Sequence, residues 1–156
     1  MKFKYFFLLV ILIMFGYNTQ AQKYVILGNL IPYNRDFKTS ICLLSERIPT
    51  VEQDYATRDK SKSSIYLIDS SLLNDLCSYI AKNGKILSYY RDGGPESIYQ
   101  VVINTDGLFQ PYFEFYNKKE VVTFYEALIA YLNQKHGIKN VLRPILENER
   151  SKYLGE

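Results

Sequence analysis

The chain has 156 residues, of which 47% are apolar and 22% are charged, and this balance is typical of one globular domain. It excludes a collagen-like or disordered chain, and the length excludes a large multidomain enzyme. Two of the 19 basic residues lie in the first 21 positions, which contain no acid, so 17 basic and 16 acidic side chains remain. Because the rest of the chain is nearly neutral and has no long basic run, we expect no nucleic-acid partner.

The N-terminus has the pattern of a signal peptide. Two lysines precede an apolar run over residues 6–15, and small residues stand three positions and one position before a cleavage site after Ala21. The run is half the roughly 20 residues that a spanning helix needs. We therefore expect residues 1–21 to be removed and residues 22–156 to be periplasmic or secreted, with no membrane attachment after cleavage. An uncleaved anchor is the alternative.

Export affects the interpretation of Cys42 and Cys77, the only cysteines in the chain. In an oxidising compartment they could form a disulfide. Both also fall in apolar patterns, so burial as two small hydrophobic residues is the alternative. Sequence separation does not decide between the two, because a disulfide requires Cα atoms within roughly 7 Å.

The first half of the mature chain alternates apolar and polar stretches. Lys23–Leu30, Ile41–Leu44 and Ile65–Ile68 are predicted strands, because each is rich in β-branched or large apolar residues. The stretch from Pro49 to Ser63 has few large apolar residues and many charges, so we expect a long mobile loop. Loops of this length are either functional or disordered, and a solvated charge cluster favours disorder.

Three helices are predicted. The first begins after a cap among residues 69–71 and ends at Gly84, and the second begins at Asn117, with Glu120 three residues later, and ends at Gly137. A short third helix occupies residues 141–154 with a proline near its start. The first two have apolar stripes at helical spacing, formed by Leu72, Leu73, Leu76, Cys77 and Ile80 and by Val121, Phe124, Tyr125, Leu128, Ile129 and Leu132.

Between the first two helices, residues 85–116 are predicted to form a three-stranded antiparallel meander. A three-residue turn ending at Gly107 places Ile103 opposite Phe109, whereas a two-residue turn places it opposite Gln110 and mixes the two faces. A five-residue loop over 92–96 then sets Leu87 opposite Val101. The expected core face collects Leu87, Tyr89, Tyr99, Val101, Ile103, Phe109, Phe113 and Phe115.

Together these elements predict a single α+β domain in which an antiparallel meander sheet packs against helices. Pro111 cannot donate a ladder hydrogen bond, so its strand should be an edge or should direct the proline nitrogen outward.

The face of the meander opposite the core carries a row of polar and aromatic side chains. Tyrosines offer flat apolar area with a hydroxyl at the rim, which suits stacking on sugars or anchoring a protein. The alternative is that the first strands simply cover this face, since tyrosine is common in strands. The candidate ligand-binding residues are Tyr90, Gln100, Gln110, Tyr112, Glu114 and Tyr116.

Catalytic patterns are scarce. No nucleophile elbow, metalloprotease motif or phosphate loop occurs, and the cysteines and single histidine lack metal-ligand spacing, so we expect no metal and no cofactor. His136 falls in the last turn of the second predicted helix, where its charge complements the helix dipole. Paired acids could hydrolyse a glycosidic bond, but no spacing selects a pair among Asp54, Asp59, Asp92, Asp106 and Glu114.

The sequence therefore favours an exported, non-catalytic module that binds a protein or a glycan ligand through the tyrosine-bearing face. An inhibitor or immunity protein that neutralises a toxin is one form of this hypothesis. The alternative is a small exported hydrolase with paired carboxylates.

Overall fold

The computed structural model describes residues 22–31, 36–59, 62–87 and 96–155. The predicted signal peptide lies outside these residues. The described part is a single α+β domain with five strands and four helices, in the order β1 (Lys23–Leu30), β2 (Phe37–Leu44), α1 (Pro49–Ala56), β3 (Ser63–Leu67), α2 (Ser70–Asn83), β4 (Tyr99–Thr105), β5 (Leu108–Phe115), α3 (Lys118–His136) and α4 (Leu142–Ser151).

The five strands form one sheet in the order β3-β2-β1-β4-β5. β1 pairs antiparallel with both β2 and β4, and β4 pairs antiparallel with β5. β2 and β3 are parallel, with α1 in the connection between them. The sheet is therefore mixed, and the prediction of a purely antiparallel sheet was wrong.

The predicted meander was also wrong in its first strand. β4 has β1 as its second neighbour, with Tyr99 opposite Asn29. Residues 85–87, which precede β4, run instead beside β5, where Lys85 N donates to Tyr112 O at 2.9 Å and Leu87 N donates to Pro111 O at 3.0 Å. Alternating hydrophobicity fixes which face a side chain occupies but does not identify the neighbouring strand. Tyr89 and Tyr90 lie outside the described residues.

The β4–β5 hairpin has the two-residue turn that the sequence argument rejected. Asp106 and Gly107 both have positive φ, at 52° and 83°, as a tight hairpin turn requires. Ile103 therefore lies opposite Gln110. An irregularity at Val101/Val102 then shifts the register, so that Val101 faces Phe113 and Tyr99 faces Phe115. A β-bulge thus restores the separation of faces that the turn alone would lose.

Helices pack on both faces of the sheet, but they bury more apolar residues on one face than on the other. We call the face toward α2, α3 and α4 the main face, and the face toward α1 the second face. The main core contains most of the buried apolar residues, among them Val25, Leu27, Leu43, Leu76, Val101, Leu128, Leu132 and Leu146. The second-face cluster consists of Ile26, Cys42, Leu44, Ile48, Val51 and Tyr55.

The three predicted helices are present, and the first two have the expected buried stripes. At the start of α3, Asn117 Oδ1 accepts from Glu120 N at 2.9 Å, and the Glu120 carboxylate accepts from Tyr116 N at 2.8 Å. Gly137, with φ of 84°, ends the helix as predicted. The prediction of a mobile loop over residues 49–63 was wrong, because α1 occupies much of it.

Of the two alternatives for Cys42 and Cys77, the structure shows the burial of two separate cysteines and not a disulfide, because both are free and buried. Cys42 belongs to the second-face cluster, whereas Cys77 belongs to the main core. The sheet therefore lies between the two thiols. Burial raises the pKa of Cys42 to about 12 and that of Cys77 to about 11, so both stay protonated near neutral pH.

Candidate functional site

The second face contains a cavity of about 900 Å³ beside α1. Its floor includes Ile26 of β1 and Val102 and Gln100 of β4, and one wall is formed by residues of α1. The cavity forms here because α1 is only eight residues long and cannot cover the whole face. Its volume lies in the range of about 300–1,000 Å³ that is usual for small-molecule sites.

In the part of the chain that the structure describes, four aromatic rings line the cavity, contributed by Tyr24, Phe37, Tyr55 and Phe109. The rings of Tyr24 and Phe109 meet edge to face, with centroids 6.4 Å apart and planes at 87°. Phe109 is 43% exposed, so its ring offers apolar area at the surface. This position also corrects the sequence prediction, which placed Phe109 on the core face.

The charges of the described lining residues are balanced, with three basic and three acidic side chains. Arg58 donates to Asp54 at 2.8 Å, and its guanidinium carbon lies 4.7 Å from the centre of the Tyr55 ring. The remaining four charges belong to Asp36, Lys38, Asp59 and Lys62.

Tyr55 connects the cavity wall to the sheet. Its hydroxyl and that of Ser40 are 2.9 Å apart in a buried hydrogen bond. Burial, together with the neighbouring Cys42 thiol, raises the pKa of Tyr55 to about 12, so the phenol is neutral near pH 7. No histidine or cysteine is found among the described residues that line the cavity. The lining therefore offers rings, an amide, hydroxyls and paired charges, which suit binding better than covalent catalysis.

The predicted ligand-binding residues do not share one face. Gln100 lies opposite Glu114 and donates to it at 3.4 Å, and the Tyr116 hydroxyl donates to the same carboxylate at 3.2 Å. Gln110 lies opposite Ile103 of the main core, and Tyr112 packs against that core and donates to Gln110 at 3.5 Å. The bulge therefore divides the predicted row between the two faces.

Of these predicted residues, Gln100 alone is among the described lining of the cavity. Glu114 and Tyr116 instead line a second hollow of about 710 Å³ between α2, β5 and the start of α3. Tyr90 lies outside the described residues.

The acids considered for hydrolysis are dispersed as well. Asp54 and Asp59 line the cavity, but Asp106 accepts from Gln22 N at 2.9 Å near the hairpin turn. Glu114 accepts the hydrogen bond from Gln100 of β4, and Asp92 lies outside the described residues. His136 ends α3 as predicted, and its Nε2 lies 2.6 Å from Asp75 Oδ2 on α2, away from the cavity lining.

Sequence reasoning missed most of the cavity because it missed α1. The signal was present: Pro49 suits the first turn of a helix, and Ile48, Val51 and Tyr55 recur at intervals of three and four residues. Three apolar residues among many charges were too few to mark a helix against a solvated loop.

Within the described parts of the chain, no group of three or more histidine, cysteine or acidic residues is placed to hold a metal ion. Over the same residues, every helix is too short or too polar to cross a membrane. Comparison with protein-family models, with curated proteins and with solved structures gives no match.

Proposed function

We propose that this chain is an exported, non-catalytic binding module whose ligand occupies the second-face cavity. The observation that supports this proposal is a concave site of about 900 Å³ that combines aromatic rings with charged and polar side chains. A concave site of this volume can enclose a small ligand, and its polar groups can orient that ligand. The signal-peptide pattern of residues 1–21 supports export.

The cavity favours a small or slender ligand over a broad protein surface. Protein interfaces of standard size bury about 800 Å² on each partner and are mostly open surfaces. An inhibitor or immunity protein would need such a surface, and the predicted tyrosine row that was to supply it is divided between two faces. A ligand that enters the cavity needs only the lining already in place.

Hydrolysis by paired acids is the second candidate, because Asp54 and Asp59 line the same cavity. A general acid in such enzymes is kept protonated by an apolar surrounding. The Asp54 side chain is instead 57% exposed and ion-paired with Arg58. These surroundings favour a structural or ligand-binding role for Asp54.

A cavity-blocking substitution tests the proposal. Thr50 of α1 lines the cavity, whereas the exposed Gln53, one turn further along the helix, is absent from the described lining. Wild type, Thr50→Trp and Gln53→Trp are each incubated with the small-molecule fraction of the medium or periplasm of producing cells. Retained compounds are released by denaturation and identified by mass spectrometry.

We expect wild type and Gln53→Trp to retain the same compound and Thr50→Trp to lose most of it. Equal urea midpoints for the two variants would show that the loss is not caused by unfolding. Equal retention by Thr50→Trp, or no retained compound in any sample, would contradict the proposal.

A further inference from the structure

The length of the cavity indicates what kind of ligand fits it. Its lining follows β1 from Tyr24, near the β4–β5 hairpin, to Phe37, which pairs with Leu30 at the far end of the strand. The six steps from Tyr24 to Leu30 along this extended strand span about 20 Å at roughly 3.3 Å per step. The site is therefore long enough for a linear oligomer.

The position of the cavity on the face of the sheet argues against a peptide strand. β1 lies between β2 and β4 and is hydrogen-bonded to both, so its backbone groups are already used. A peptide recognised by strand addition needs a free sheet edge. On this face the amide groups of a bound peptide would be desolvated without gaining backbone hydrogen-bond partners, which is unfavourable. The ligand must be recognised by side chains.

The charges of the lining favour a neutral ligand rich in hydroxyl groups. Among the described lining residues, three cations and three anions balance one another, and Arg58 and Asp54 already neutralise each other. Hydroxyl groups both donate and accept hydrogen bonds, so they can bind carboxylates, ammonium groups and the Gln100 amide alike. A strongly charged ligand would meet as many repulsive as attractive groups.

The aromatic rings of the cavity provide apolar contacts for such a ligand. Tyr24 and Phe109 stand at one end of the cavity and Phe37 stands toward the other. Aromatic rings can pack against the apolar faces of sugar rings, so rings at both ends of the cavity suit a ligand with several sugar units. The chain contains no tryptophan, so tyrosine and phenylalanine must serve this purpose.

From this combination of length, position, charge balance and rings, we infer that the ligand is a neutral, linear oligosaccharide lying along β1 in the cavity. This inference rests on the proposed function of the cavity. The sugar rings pack on Phe109 and Tyr24, and the hydroxyl groups bond to Gln100 and to the carboxylates of the rim.

Isothermal titration calorimetry of the purified protein tests the inference. The probes are neutral tetrasaccharides of glucose, mannose, xylose and N-acetylglucosamine, with tetramers of galacturonic acid and glucosamine as anionic and cationic comparators. We expect at least one neutral tetrasaccharide to bind, and both charged tetramers to bind at least tenfold more weakly. Phe109→Ala should weaken neutral binding by about tenfold, because it removes a stacking platform.

Leu108→Ala is the matched control. Leu108 is 62% exposed, adjoins Phe109 in the same hairpin and is absent from the described lining, so its removal should change affinity by less than twofold. Equal losses in the two variants would overturn the assignment to this cavity. Tighter binding of a charged tetramer, or no binding of any neutral one, would overturn the ligand class.

The two proposals fail in different ways. If no tetrasaccharide binds but Thr50→Trp still abolishes retention of a natural compound, the cavity is a binding site for another class of ligand. If neither experiment detects binding, the proposed function fails with the inference.

Discussion

The two faces of this sheet differ in how completely helices cover them. Three helices pack on the main face, while one eight-residue helix packs on the second face. On the main face, the buried hydroxyls of Tyr99 and Tyr125 are hydrogen-bonded to each other, and Tyr99 also donates to Glu149 at 3.5 Å. These buried hydroxyls therefore have partners, although the buried Nε atom of Arg150 in α4 has none within the described part of the chain.

The second face is less complete. Its buried amide Gln100 has one long hydrogen bond, and the Asn104 Nδ2 atom has no partner within the described part of the chain. An unsatisfied buried donor costs about 1–3 kcal/mol. We therefore expect the main face to contribute most of the stability of the domain. The second face is less densely packed and contains the cavity. Three sets of substitutions can break or sharpen this comparison.

The largest effect is expected from truncation in the main core. Leu128 of α3 is fully buried, so Leu128→Ala should lower the free energy of unfolding by about 4 kcal/mol. Val51 of α1 borders a space that already exists, so Val51→Ala should cost mainly the lost transfer energy, about 1.5 kcal/mol. Urea denaturation measures both losses of unfolding free energy. Equal losses would show that the two faces contribute equally to stability.

An intermediate effect is expected at Gly28 of β1. A Cβ atom there would lie 2.2 Å from the Thr39 carbonyl oxygen and 2.8 Å from the Phe37 ring, so backbone would have to move. Gly28→Ala should cost about 3 kcal/mol and should displace Phe37 from the cavity.

Gly107→Ala provides the comparison for Gly28. No atom lies within 4 Å of its added Cβ, but its φ of +83° is unfavourable for alanine, and the cost should be about 1 kcal/mol. Thermal or urea unfolding gives both values. A smaller loss for Gly28→Ala than for Gly107→Ala would show that the contact between β1 and β2 is not close.

The smallest effect is expected on the exposed rim of the main face, where Asp75 links α2 to α3. The hydrogen bond from His136, with help from Lys135, lowers the pKa of Asp75 below its ordinary value of 3.8. A carboxyl whose pKa is lowered by folding adds stability above its unfolded pKa, and that stability is lost as the pH falls.

Asp75→Asn should therefore be slightly less stable than wild type at pH 7, and the difference should shrink as the pH falls below about 3.8. Urea midpoints measured from pH 7 to pH 2 test this, with Asp69→Asn as the control for a neighbouring exposed aspartate. A difference that stays constant across this range would contradict the assigned cause.

The sequence predicted local features well where one face of an element had a dense apolar stripe. The bounds of β1, the buried residues of α2 and α3, and the ends of α3 at Asn117 and Gly137 follow from periodicity and capping. It failed for α1, whose two buried residues are surrounded by charges. It also failed for the candidate site, because the two-residue turn moved Gln110 and Tyr112 to the main face, before the bulge in β5 restored the expected face for Glu114.

What the sequence by itself determined was an α+β chain in which most elements begin and end at identifiable residues, because propensity, capping and periodicity act over a few neighbouring positions. Only the tertiary structure decided that β1 separates β2 from β4, that Cys42 and Cys77 lie on opposite sides of the sheet, and that a cavity remains beside α1. Strand order and hairpin register depend on contacts between distant residues, which local patterns do not specify.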